Sequence, residues 1–249
     1  MSGSASPLVP PPENGAVFAS TQWSVVLETR RDSAHRRAAL EQLCRTYWLP
    51  LYAYLRRRDF AQADAEDLTQ GFFVYLIESD FLDRPDPAKG RFRGYLIGAL
   101  KHFLAGEHKH ATAQKRGGGA QFIDWATVDA EKEFLAHDQP QLDPSEAYET
   151  SWALTLFATA LRRLEAEQAA AGRARQFATL KNFLSTTPTR GEYDDAALAL
   201  GTTRAIVAVW IFRLNRRYAE LVRLEVAASL QDPGEVKNEM RHLLQALRR

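Results

Sequence analysis

Residues 192–218 read EYDDAALALGTTRAIVAVWIFRLNRRY, and no other stretch restricts the fold so tightly. A short apolar helix ends at Gly201, a tight Gly-Thr-Thr break follows, and a second helix begins at Thr203. This is the layout of a helix-turn-helix, whose second helix can enter a DNA major groove. In that helix Val207, Ile211, Leu214, Tyr218 and Leu221 recur at spacings of three and four, which makes one buried stripe. Arg204, Ala208, Phe212, Arg213, Arg216 and Arg217 lie opposite. Between 201 and 224 there are five arginines and one acid, Glu220. Arginine holds phosphates or reads guanine edges, and an aromatic ring can meet a thymine methyl. Thr203 suits the N-cap. The competing reading of this stretch alone is an ordinary helical hairpin with a solvated basic face.

The 249 residues suggest two domains, and 45% apolar content can fill two cores. A net charge of +1 does not by itself announce nucleic-acid binding, but the charge is unevenly spread. The single cysteine, Cys44, excludes an internal disulfide and reads as a small buried hydrophobe. No apolar run approaches the ~20 residues that span a membrane. The N-terminus lacks a secretory pattern, so a cytoplasmic location is the expectation, with no membrane contact.

The pattern predicts an all-α chain. Residues 1–20, with Pro7, Pro10, Pro11 and Pro12, read as a disordered leader. Residues 21–116 read as a first helical domain. Leu40, Leu43, Cys44, Tyr47, Leu51 and Leu55 share one face, and Leu68, Phe72, Phe73, Leu76 and Ile77 share another. A third helix over about 95–108 turns Leu96, Ala99, Leu100, Phe103 and Leu104 inward, after a break holding Pro85, Pro87 and Gly90. Residues 117–148 read as a flexible acidic linker. Between 117 and 149 eight acids stand against one lysine, Lys132. A second helical domain follows over 149–227, with Leu154, Phe157, Leu161 and Leu164 at helical spacing. Residues 228–249 hold a last amphipathic helix, with Val236, Met240, Leu243, Leu244 and Leu247 on one side.

Two segments of the first domain carry chemistry. DAEDLTQGFFVYLIE, residues 64–78, opens with Asp64, Glu66, Asp67 and Gln70. Acids in a first turn suit the helix dipole, and they also make a negative edge for a basic partner. Residues 90–116 hold six Lys/Arg against Glu107, with Phe92, Tyr95 and Phe103 interleaved. Charge for a backbone and rings for unstacked bases suit single-stranded nucleic acid, although such rings also serve as core.

In this order the pieces resemble a sigma-70 family RNA polymerase sigma factor of the extracytoplasmic-function type, over about residues 21–227. AEDLTQGFFVYL resembles the clamp-binding helix of sigma domain 2. FRGYLIGALKHFL resembles the promoter-melting helix that follows it. YDDAALALGTTRAIVAVWIFRL resembles the helix-turn-helix of sigma domain 4. The resemblance implies a transcription initiation factor, not an enzyme, that needs no cofactor or metal. Its partners would be the beta and beta-prime subunits of bacterial core RNA polymerase and promoter DNA, with an anti-sigma factor or other regulator as a further partner. Asp64, Glu66, Asp67, Gln70 and Phe73 would bind core polymerase. Arg91, Arg93, Lys101, His102, Lys109, Lys115 and Arg116 would lie along the −10 DNA. Thr203, Arg204, Phe212, Arg213, Arg216 and Arg217 would lie on the −35 element. The acidic linker would thread the channel of the nascent RNA.

The chain departs from the family at Ala208, Trp210 and Asn215, where basic residues are common. That shifts the expected −35 readout toward apolar contact through Phe212. The nearest alternative is a stand-alone helix-turn-helix regulator, which leaves the 64–78 helix and the acidic stretch unexplained. Glu66-Asp67 and Asp194-Asp195 point to different helix faces and make no converging acid/base site.

Overall fold

The computed structural model describes residues 33–78, 91–111, 129–137, 139–230 and 232–248. Within them the chain is helical, with no strand. The helices are α1 (Ser33–Arg56), α2 (Gln62–Glu78), α3 (Phe92–Ala111), α4 (Ala130–Ala136), α5 (Pro144–Ala170), α6 (Ala174–Leu180), α7 (Arg190–Ala199), α8 (Arg204–Ala228) and α9 (Val236–Ala246). Among the described residues no single helix is long and apolar enough to cross a membrane. The leader, the Pro85–Gly90 break and the glycines at 117–119 lie outside the described residues.

The stripes read from spacing become the core. Leu40, Leu43, Cys44, Tyr47, Leu51 and Leu55 are all buried, as are Phe72, Phe73 and Leu76 of α2 and Leu96, Ala99, Leu100 and Leu104 of α3. Burial, with a smaller push from Glu41, raises the Cys44 thiol to about 12, so it stays protonated and inert.

The long helix α5 organises everything else. Asp143 caps it in a capping box with Glu146, and Pro144 sits in its first turn, where the missing N–H costs nothing. It packs on both α1 and α8. Tyr148, Trp152, Ala153, Leu156, Ala160 and Leu164 are among its buried residues. Of the stripe expected from spacing, Leu164 is buried, while Leu154, Phe157 and Leu161 are only half-buried. A helix covered on two sides has two inward stripes, and the larger one carries Trp152. The expected domain boundary at 148/149 falls inside this helix. One continuous core therefore runs from α1 through α5 to α8 and α9.

Part of the acidic stretch is also packed. Asp129 caps α4 by accepting from the Lys132 N–H at 3.0 Å. Glu131 accepts from Arg56 Nε at 3.0 Å and Arg56 Nη2 at 2.9 Å, and from the Tyr52 hydroxyl. An acid on a short helix thus becomes a tie to α1.

Three helix ends use the left-handed backbone. Gly172 and Gly201 have φ of 70° and 63°, and Asp59 takes 63° without being glycine. At α7 the Thr202 N–H reaches Ala197 O at 2.9 Å and the Gly201 N–H reaches Leu198 O at 3.2 Å. This is a Schellman motif, and it turns the chain into α8. A Cβ at Gly201 meets nothing within 4 Å, so Gly201→Ala adds backbone strain and no clash. The expected result is a stability loss of about 1–2 kcal/mol, read by urea denaturation.

Candidate nucleic-acid interface

Helices α7 and α8 meet at 97°, within the range of helix-turn-helix pairs. Thr189 caps α7 in a capping box with Glu192, and Thr203 caps α8 by accepting from the Ile206 N–H at 3.4 Å. The Arg175 guanidinium donates to Ala199 O at 3.1 Å and steadies the end of α7. Val207, Ile211, Leu214 and Leu221 are buried. The Tyr218 hydroxyl donates to Phe157 O at 3.1 Å.

The opposite face of α8 is open. Phe212 is 68% exposed, and Ala205, Ile206, Ala208 and Val209 are exposed beside it. Arg204 and Arg213 are exposed and make no ion pair or hydrogen bond among the described residues, and the same holds for Arg190 at the start of α7. Arg190, Tyr193 and Arg204 line an open hollow at the mouth of the turn. Arg216 pairs with Glu220 at 3.3 Å, an exposed contact that holds it weakly.

Arg217 behaves differently. Its Nε and Nη2 donate to the Glu167 carboxylate of α5 at 2.8 and 2.7 Å, and Nη1 donates to Glu220 at 3.2 Å. Those Arg217 hydrogen bonds hold Glu167 below the usual carboxylate range, against a smaller opposing effect of burial. Arg217 joins α8 to α5 and does not belong to the open face. Residue 217 lies three after Leu214 and four before Leu221, at the edge of the buried stripe, and that spacing was the available signal.

On α3 the basic residues divide. Lys101 and His102 are exposed, with the Lys101 ammonium 5.9 Å from the Tyr54 ring centroid. Lys109 lies in the last turns of α3, while Lys115 and Arg116 fall outside the described residues. Arg93 is 3% exposed, so its expected place on DNA is corrected to an interior one in this form. Its Nε donates to both Glu149 oxygens at 3.0 and 2.9 Å, and its guanidinium lies 4.3 Å over the Trp152 ring. Burial opposes the charge, but Glu149 and Glu239 outweigh it and raise the guanidinium above its ordinary value. Arg91 lies 2.8 Å from Glu239 and 3.9 Å from Glu235.

On α2 the acids Asp64 and Asp67 are exposed. Glu66 is half-buried and accepts from Gln62 at 3.0 Å, and Gln70 is half-buried. Phe73 is a correction. It is buried and stacks on Trp48 with centroids 5.8 Å apart, so it is core and offers no partner contact here. The sequence had already placed it on the inward stripe with Phe72 and Leu76.

The residues that spacing missed are Glu149, Trp152, Glu167 and Glu239. Among the described residues no group of three His, Cys, Asp or Glu gathers as a metal set. Comparison with protein-family models, with curated proteins and with solved structures finds no match.

Proposed function

We propose that this chain is a transcription initiation factor that binds bacterial core RNA polymerase and directs it to promoters. The observation that carries the reading is the open face of α8, with free Arg204 and Arg213 around exposed Phe212, on a helix-turn-helix. In this reading α8 enters the major groove of the −35 element. The exposed Lys101 and His102, midway along α3, meet the −10 region, and Asp64 and Asp67 of α2 meet the polymerase clamp. The partners are the beta and beta-prime subunits and promoter DNA, in the cytoplasm, and the polymerase performs the chemistry. On the polymerase the two halves work as separate modules, so each contributes modest affinity at a fixed spacing and the affinities multiply.

The face of α8 also favours a chemistry of bases. Its exposed N-terminal side carries arginine and apolar groups and no side-chain amide. The Asn215 amide is turned inward, donating to Ile211 O at 3.1 Å and Phe183 O at 3.4 Å. Adenine therefore lacks its usual Asn or Gln partner, while guanine edges suit arginine and thymine methyls suit Phe212 and Val209. Arg213→Ala should weaken promoter discrimination by about 1–3 kcal/mol without weakening polymerase binding. Run-off transcription from the cognate promoter reads the first effect and co-purification reads the second. Equal output counts against the role of Arg213. Replacing the contacted thymine by uracil removes one methyl, worth about 0.8 kcal/mol, and should lower affinity about fourfold.

A stand-alone regulator is favoured by one observation, the continuous core that joins both halves. Such a protein usually reads two half-sites as a dimer. A stable dimer that footprints a palindrome without polymerase would support it.

A further inference from the structure

The C-terminal helix α9 carries an acid where its apolar stripe meets the protein. Glu239 lies three residues after Val236 and four before Leu243, and it is 0% exposed. Its two oxygens lie 2.8 Å from Arg91 Nη2 and 2.6 Å from Arg93 Nη1. These are close ionic contacts whose angles fall short of hydrogen-bond geometry. Arg93 is shared with Glu149 of α5, and His242 of α9 lies 3.5 Å from the same Glu149. The Thr150 hydroxyl of α5 donates to Ala246 O at 3.2 Å, which ties down the far end of α9. One cluster therefore joins α3, α5 and α9.

An apolar residue at 239 would seat α9 on α5 and α8 without removing a charge from water. A buried carboxylate is tolerable only because two guanidinium groups meet it. Two arginines converging on one anion is also how proteins hold a nucleic-acid phosphate. A carboxylate and a phosphate compete for the same donors.

We infer that α9 is an internal competitor of DNA: Glu239 occupies Arg91 and Arg93 as a backbone phosphate would, and withholds them until α9 leaves. This rests on the reading of α3 as a DNA-facing helix. DNA binding and α9 docking are then mutually exclusive, so each weakens the other by the same factor. Release of α9 removes Glu239 from both arginines, and Arg93 then keeps only Glu149 and the Trp152 ring of α5.

The test uses the full chain and a fluorescein-labelled forked duplex read by anisotropy, without polymerase. Glu239→Gln keeps the shape of the side chain and removes its charge. It should bind the fork at least about fivefold more tightly than the intact chain, the low end of ordinary coupling between sites. Adding Arg91→Gln should cancel the gain. A second measurement needs no variant. Saturating fork added to the intact chain should speed amide exchange across Val236–Ala246. Equal or weaker binding by a folded Glu239→Gln chain overturns the inference. Slower or unchanged exchange in α9 on saturation does the same. Failure of the intact chain to co-purify with core polymerase strikes the functional reading instead, and leaves this competition intact.

Discussion

Arg93→Ala lowers the unfolding free energy by about 3–5 kcal/mol, because it removes one of the two guanidinium groups that meet the buried Glu239 and leaves Arg91 alone against it. Glu239 is fully buried and Glu149 is half-buried, and Arg93 pairs with both. The guanidinium also covers the Trp152 ring, so truncation removes packing together with charge. The effect appears as a lower urea midpoint with an unchanged slope. Pairing Arg93→Ala with Glu239→Gln should recover part of the loss, since residues in one ionic cluster are not additive. An unchanged midpoint for Arg93→Ala contradicts the buried cluster. A surface arginine held ready for DNA would give that unchanged midpoint.

The second large effect concerns α2. Asp67→Lys abolishes co-purification with core polymerase and leaves the far-UV circular dichroism intact. Asp67 is exposed, while Ala65, Thr69, Phe72, Phe73 and Leu76 hold the helix from its other side. Among the described residues no ion pair or hydrogen bond restrains the exposed Asp67 carboxylate, so reversing its charge removes no contact of the described fold. Placing a cation against a basic partner surface costs several kcal/mol, enough to erase a micromolar contact. Unchanged co-purification means that α2 does not face the polymerase. Asp64→Lys, three residues earlier and also exposed, should act in the same direction.

The legible parts of this molecule were those set by local physics. The stripe from Leu40 to Leu55, the Thr203 cap and the break at Gly201 each follow from neighbours within a turn or two. The missed parts depend on long-range pairing. Arg93 lies three residues before Leu96 and seven before Leu100, on the inward side of α3, yet a positive charge in a basic segment reads as surface. Glu239 lies three residues after Val236 and four before Leu243, in the apolar stripe of α9, where nothing local calls for an acid. Each is tolerable inside because partners of opposite charge meet it, and no local pattern reveals a partner 146 residues away. Arg217 and Glu167 repeat the case across α8 and α5. The helix Ala130–Ala136 is shorter than an isolated helix can hold, and its order comes from Glu131 on Arg56 and Tyr52. Phe73 was legible twice over, and the inward stripe prevailed over its implied contact with a partner.

The competition at Glu239 gives the proposed factor a resting form. In the described arrangement α5 is packed on α1 and the α3 arginines are occupied, while the α8 face stays open. In the proposed function a polymerase that spaces the two halves apart would separate α5 from α1, while the cluster of Arg93, Glu149 and Glu239 ties α3 to α5 and α9. Opening would expose Trp152, so its indole fluorescence should shift to the red when polymerase is added.

Run-off transcription of fragmented genomic DNA by purified bacterial core polymerase, with and without the intact chain, tests the central claim most directly. The account predicts discrete new transcripts that appear only when the chain is present and vanish with Asp67→Lys. A chain that binds no core, or binds it and leaves every start site unchanged, contradicts the account.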